Sequence, residues 1–178
     1  MCTWILTAVL LGHIVTTMAF LLTGWFDLKM FMALPKIVGI VCLIHVCISM
    51  YVIFLKHDGT DISGYGRLNR RTIAQRATGI TILALVHPHV KLFESFLFES
   101  LPLSLPHKIV VFIVEMVFFG AIYLHLACSF SRSFITMGMI RSEKAEQAID
   151  MGARIFAIAG FAVAFFALAR FLINWPAA

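Results

Sequence analysis

The chain has 178 residues, 61% of them hydrophobic and only 13% charged, where soluble domains carry about a quarter. Its mean hydropathy is +0.97 and its formal net charge +5. These values exclude a soluble domain and read as an integral membrane protein. The positive charge falls in loops, where it sets orientation, and gives no reason to expect nucleic acid as a partner.

Crossing a bilayer takes about 20 apolar residues, and the chain has room for five such spans. The first covers 3–24. It lacks a basic leader and a small-residue cleavage site, so it reads as a span rather than a signal peptide. A short loop follows, with the interfacial pair Trp25-Phe26 and with Asp27 and Lys29. The second span covers 34–55, with Pro35 expected in its first turn, where proline costs little. A polar loop then carries Lys56, Arg67, Arg70, Arg71 and Arg76, broken by Gly59, Gly64 and Gly66. The third span covers 72–92. Residues 93–107 hold Glu94, Glu99, Pro102 and Pro106 and read as a loop with a short interfacial helix. The fourth span covers 108–135. A mixed loop runs from Arg141 to Glu146, the fifth span covers 152–173, and Trp175-Pro176 stands at an interface.

The expected fold class is therefore all-α integral membrane, a single membrane domain over 1–178. Five transmembrane helices are expected, the first four in an up-down bundle. Cys2, Cys42, Cys47 and Cys128 show no CxxC spacing and read as buried thiols. The loops after spans two and four are richest in Lys and Arg. By the positive-inside rule they face the cytoplasm, which puts the N-terminus inside the cell inner membrane and the C-terminus outside.

Four of the seven histidines, His13, His45, His89 and His125, lie on successive spans. An ionisable side chain in hydrocarbon is costly, so such residues are functional candidates. Four imidazoles, one per helix, suffice to hold two haems with two axial nitrogens each. In an up-down bundle spans one and three are parallel, as are two and four. At 1.5 Å per residue His13 and His89 both lie ~18–20 Å from the cytoplasmic ends. His45 and His125 differ in depth by ~6 Å, which helix tilt absorbs. His87 competes with His89; the two point about 200° apart, and with Pro88 between them spacing does not separate them. His57 and His107 sit in or beside loops and read as solvated.

Haem propionates need cationic partners, and Arg76 and Arg132 stand at the cytoplasmic ends of spans three and four. Snorkelling to the interface is the plainer use of the same residues. Gly12, Gly79 and Gly120 flank the histidines and could admit a porphyrin or serve helix packing. Glu115 is the one carboxylate inside a span. A proton channel or transporter usually has several.

The run Gln75-Arg76-Ala77-Thr78-Gly79-Ile80-Thr81-Ile82-Leu83 resembles the QRxTGhhxL segment (h apolar) of the cytochrome b subunit of succinate dehydrogenase and fumarate reductase, in its two-haem, five-helix, single-anchor form. In that family an axial histidine follows the glutamine by fourteen positions, which lands on His89 rather than His87. The Arg70-Arg71 lead-in is similar too. So are Leu43-Ile44-His45 followed by Tyr51-Val52-Ile53-Phe54, and His125 with Ser133-Phe134 and Gly138.

The resemblance implies that His13 and His89 hold a distal haem b and that His45 and His125 hold a proximal one. It implies a flavoprotein subunit and an iron–sulfur subunit on the cytoplasmic face. Electrons would pass between the iron–sulfur subunit, the haems and a quinone, typically menaquinone. The dicarboxylate site would lie on a partner subunit, leaving no catalytic residue on this chain. Candidates near a quinone site are Asp27, Lys29, Lys36 and His107 on the outer side and His57 on the inner.

Two departures stand out. The family has a polar, basic stretch before the first span, whereas here Met1 stands almost in the membrane. Some members carry glutamate two residues before the fourth ligand, where this chain has Tyr123. Two other readings remain open. One is a dihaem cytochrome b anchor of hydrogenase or nitrate reductase type, although those often place two ligands on one helix. The other is a haem-free channel or transporter.

Overall fold

The structure, a computed structural model, describes residues 2–25, 27–55, 66–98, 102–140 and 142–175. Five helices account for nearly all of them: α1 (Cys2–Thr23), α2 (Leu28–Leu55), α3 (Gly66–Phe98), α4 (Leu105–Thr136) and α5 (Glu143–Asn174). There is no β-strand among the described residues. Phe26, Lys56, His57, Gly59, Gly64, Glu99, Arg141 and Pro176 lie outside the described residues.

Four stretches are long and apolar enough to cross a membrane: Trp4–Thr23, Met32–Val52, Leu105–Ile135 and Glu143–Asn174. The protein is thus a multi-pass membrane protein by length and composition. The stretch in α3 falls short of the other four. Its apolar run is interrupted toward its end by His87, Pro88 and His89, with Arg70, Arg71 and Arg76 before it and Lys91 and Glu94 after it.

The helices also run past the apolar spans. α2 begins at Leu28, so Pro35 lies in its interior rather than its first turn. α3 takes in the basic lead-in and continues to Phe98, where a loop was expected. α5 starts at Glu143, inside the expected mixed loop. There Ser142 accepts the Ala145 N–H, and Glu143 and Glu146 face the positive end of the helix dipole. Hydropathy marks only what hydrocarbon requires; capping and the dipole decide where the backbone ladder stops. At the other end of α4 the chain leaves through Gly138, whose φ of +69° suits glycine, with the Met139 N–H on the Phe134 carbonyl at 3.0 Å.

The chain forms two compact units, Met1–Tyr65 and Gly66–Ala178. In the first, α1 and α2 pack together. His13, Thr17 and Leu21 share one stripe of α1, with Thr17 and Leu21 buried. The Thr16 hydroxyl turns back onto the Gly12 and His13 carbonyls at 3.0 Å, so it needs no partner from outside the helix.

In the second unit α4 packs against both α3 and α5. Phe118, Phe119, Ala121, Ile122 and Tyr123 of α4 are buried, as are Ala164, Ala167, Leu168 and Leu172 of α5. Small residues let membrane helices approach closely, and Gly160 is the limiting case. A Cβ there would stand 2.4 Å from Cε1 of Tyr123, whose ring also meets Phe156. Lys108 at the start of α4 donates through Nζ to the Trp175 carbonyl at the end of α5. Ile158, Phe166 and Ile173 of α5 remain exposed, as apolar residues on a membrane-crossing helix can.

Gly160→Ala should therefore force the Tyr123 ring out of its place, at about the 1–3 kcal/mol of ordinary overpacking. The expected readout is a lower thermal midpoint in detergent. A midpoint equal to that of the unsubstituted protein would contradict this packing.

Candidate functional site

His125 lies on α4, half-buried, facing α3. Its Nδ1 is 3.0 Å from the Gln75 carbonyl oxygen and 3.2 Å from Thr78 Oγ1. A carbonyl only accepts, so Nδ1 carries the proton and donates. The lone pair is then on Nε2. Thr78 is buried and its hydroxyl stays within reach of the Ala74 and Gln75 carbonyls, at 2.7 and 3.0 Å. Gly79 passes beside the imidazole: a Cβ there would lie 3.5 Å from Cε1 and 3.7 Å from Nδ1. The Gln-x-x-Thr-Gly spacing thus acts as a seat for one histidine. Ser129, one turn on, hydrogen-bonds the His125 carbonyl.

The same face of α4 holds Arg132, two turns beyond His125. Its guanidinium donates to Thr72 Oγ1 and, at 3.5 Å, to Gln75 Oε1. Arg76 is half-buried on α3, next to Gln75. Both expected propionate partners therefore lie near the His125 end of the α3–α4 contact.

His89 lies further along α3. Its Nδ1 is 2.7 Å from Glu115 Oε2 on α4. Glu115 is fully buried, and its Oε1 has no hydrogen-bond partner among the described residues. Three aromatic rings wall the imidazole, with centroids at 5.0 Å for Phe93, 4.5 Å for Phe118 and 6.0 Å for Phe119. His87 is exposed. The two histidines that spacing alone left level are separated by packing: His89 meets α4 and His87 does not.

Both imidazoles share one arrangement, with Nδ1 committed to an acceptor and Nε2 left as the donor nitrogen. Metal-bound histidines are oriented by such contacts. A bis-imidazole haem takes two protein donors per iron, and His89 and His125 are each of the donor type that it needs. Among the described residues there is no cluster of three or more His, Cys, Asp or Glu that could hold a bare metal ion.

Other expected residues fall as follows. His13 and His45 are half-buried on α1 and α2. His107 is exposed, with Nδ1 2.6 Å from Ser104 Oγ at the start of α4. Asp27, Lys29 and Lys36 are exposed. Gly120 faces Phe161 of α5 at 3.4 Å, which is helix packing, and Gly12 faces open space. Cys42, Cys47 and Cys128 are free thiols.

Sequence reasoning missed the clamp beneath the site. Arg71 donates to Asp150 of α5 through both terminal nitrogens, at 2.8 and 2.7 Å. Its Nε donates to the Cys128 carbonyl at 2.9 Å. One guanidinium thus ties α3, α4 and α5. Arg71 was legible as part of a basic run, but nothing in sequence assigned Asp150 to it. No protein-family model, no curated protein and no solved structure matches the chain.

The Arg71–Asp150 side chains are 17% and 18% exposed, against 62% and 52% for Lys91–Glu94. Asp150→Asn should lower stability by about 1–3 kcal/mol, the cost of stranding a largely buried partner. Lys91→Ala should stay within about 0.5 kcal/mol. Equal losses in a thermal-shift comparison of the two variants would refute the ranking.

Proposed function

We propose that the chain is the dihaem cytochrome b membrane anchor of a succinate:quinone or quinol:fumarate oxidoreductase. One observation carries the reading. His89 and His125, assigned as ligands from sequence, each have Nδ1 engaged by an acceptor so that Nε2 is the donor nitrogen. His13 joins His89 on one haem and His45 joins His125 on the other, paired by their depth along the spans. α3 serves as a fifth crossing, its arginines at the cytoplasmic end. The N-terminus faces the cytoplasm and the C-terminus the outside of the inner membrane.

When bound, the haems carry one-electron transfer between an iron–sulfur subunit and quinone, most simply menaquinone. The chain's own residues orient the imidazoles, offer Arg76 and Arg132 to propionates and exclude water with Phe93, Phe118 and Phe119. A flavoprotein and an iron–sulfur subunit dock on the cytoplasmic face and hold the dicarboxylate chemistry. The succinate or fumarate anchor is favoured over a hydrogenase or nitrate reductase type anchor because each ligand has its own helix and the Gln75 to Leu83 run is present.

One feature favours a second reading, a haem-free proton carrier: His89 and Glu115 form a buried ionisable pair. Against it, His125 donates to the neutral Gln75 carbonyl.

Purified protein should bind two haems per chain, with a b-type α band after dithionite reduction. His45→Ala and His125→Ala should each bring the ratio to one and stop electron delivery to quinone. Colourless protein overturns the cytochrome, and a full haem complement in either variant overturns that pair. Copurification of a flavoprotein with covalent FAD supports the succinate or fumarate complex over the other respiratory anchors.

A further inference from the structure

Glu115 has no role in the ligand set, yet it is the one fully buried charged side chain among the described residues. We infer that Glu115 is a positioning residue that holds the Nδ1 proton of His89 and thereby lowers the reduction potential of the haem that His89 ligates; this rests on the haem reading above. Three observations bear on it. The contact is short, 2.7 Å from Nδ1 to Oε2, in the range of charge-assisted bonds, which are roughly twice as strong as neutral ones. It is sealed: Phe118 and Phe119 follow Glu115 on α4 and close on the imidazole with Phe93. In such low-dielectric surroundings electrostatic effects are magnified. And the acceptor differs from that at His125, which donates at 3.0 Å to the neutral Gln75 carbonyl.

A carboxylate drawing on the Nδ1 proton gives the ring imidazolate character. Nε2 becomes a stronger donor and favours ferric iron. A backbone carbonyl does this far less. His89 and His125 are thereby made unequal donors by their outer partners, although both are imidazoles. Oε1 of Glu115 has no hydrogen-bond partner among the described residues, so the carboxylate's described polar contact is spent on His89.

The experiment is potentiometric titration of Glu115→Gln beside the unsubstituted protein. Glutamine keeps the size and can still accept from Nδ1–H, so geometry persists while the charge goes. The variant should retain two haems per chain. One haem should rise in potential, its oxidised-to-reduced ratio at a fixed poise falling about tenfold, or about 59 mV for a one-electron couple. The other should not move. Two haems retained with both ratios within about twofold of the parent would overturn the proposal while leaving the cytochrome intact. Absence of haem from the parent protein is the separate failure of the function itself.

Should the variant not accumulate, near-infrared magnetic circular dichroism of the ferric parent decides. Two charge-transfer bands are expected, one displaced toward the imidazolate position. A single bis-imidazole band overturns the assignment.

Discussion

A ring nitrogen that carries a proton in hydrocarbon must find an acceptor, because water is not there to supply one. In the α3–α5 unit that requirement organises the helix contact. His125 meets it with the Gln75 carbonyl and His89 with the Glu115 carboxylate. Each solution draws α3 and α4 to a fixed register, one near each end of their contact. Thr78, Gly79 and the phenylalanine wall then fill the space those contacts define. The same bonds that fix the packing fix the tautomer, so the donor nitrogen left on each ring is a product of the fold.

The helices were largely legible in the sequence because hydrophobicity over twenty residues is a strong signal. Their ends were not. Gly66 to Arg71 and Phe93 to Phe98 are helical although polar or mixed, since a helix continues until a cap or an unfavourable backbone stops it. Ser142 and Gly138 are such stops, and both have recognisable chemistry once the ends are known. α3 marks the opposite limit. It carries the densest set of candidate site residues and for that reason has the weakest apolar stretch.

The candidate site was half legible. The histidines stood out because each is polar among apolar neighbours, and the Gln75 to Leu83 run drew attention to the segment that seats His125. Their partners were obscure for a physical reason. Glu115 and His89 are twenty-six positions apart, and Arg71 and Asp150 seventy-nine. Nothing in local pattern encodes such pairings. The choice between His87 and His89 likewise depends on which side of α3 faces α4. Gly79 and Gly120 looked equivalent as small residues beside histidines, yet one borders an imidazole and the other a phenylalanine of α5.

Arg71 has a bearing on how the protein is made. Its guanidinium takes backbone oxygens from α4 and a carboxylate from α5, the last of the described helices. Until α5 is synthesised, the Asp150 carboxylate is not there for Arg71 to bond. The Arg71–Asp150 pair therefore forms only once α5 docks on α3 and α4, and α5 acts as the latch of the three-helix unit.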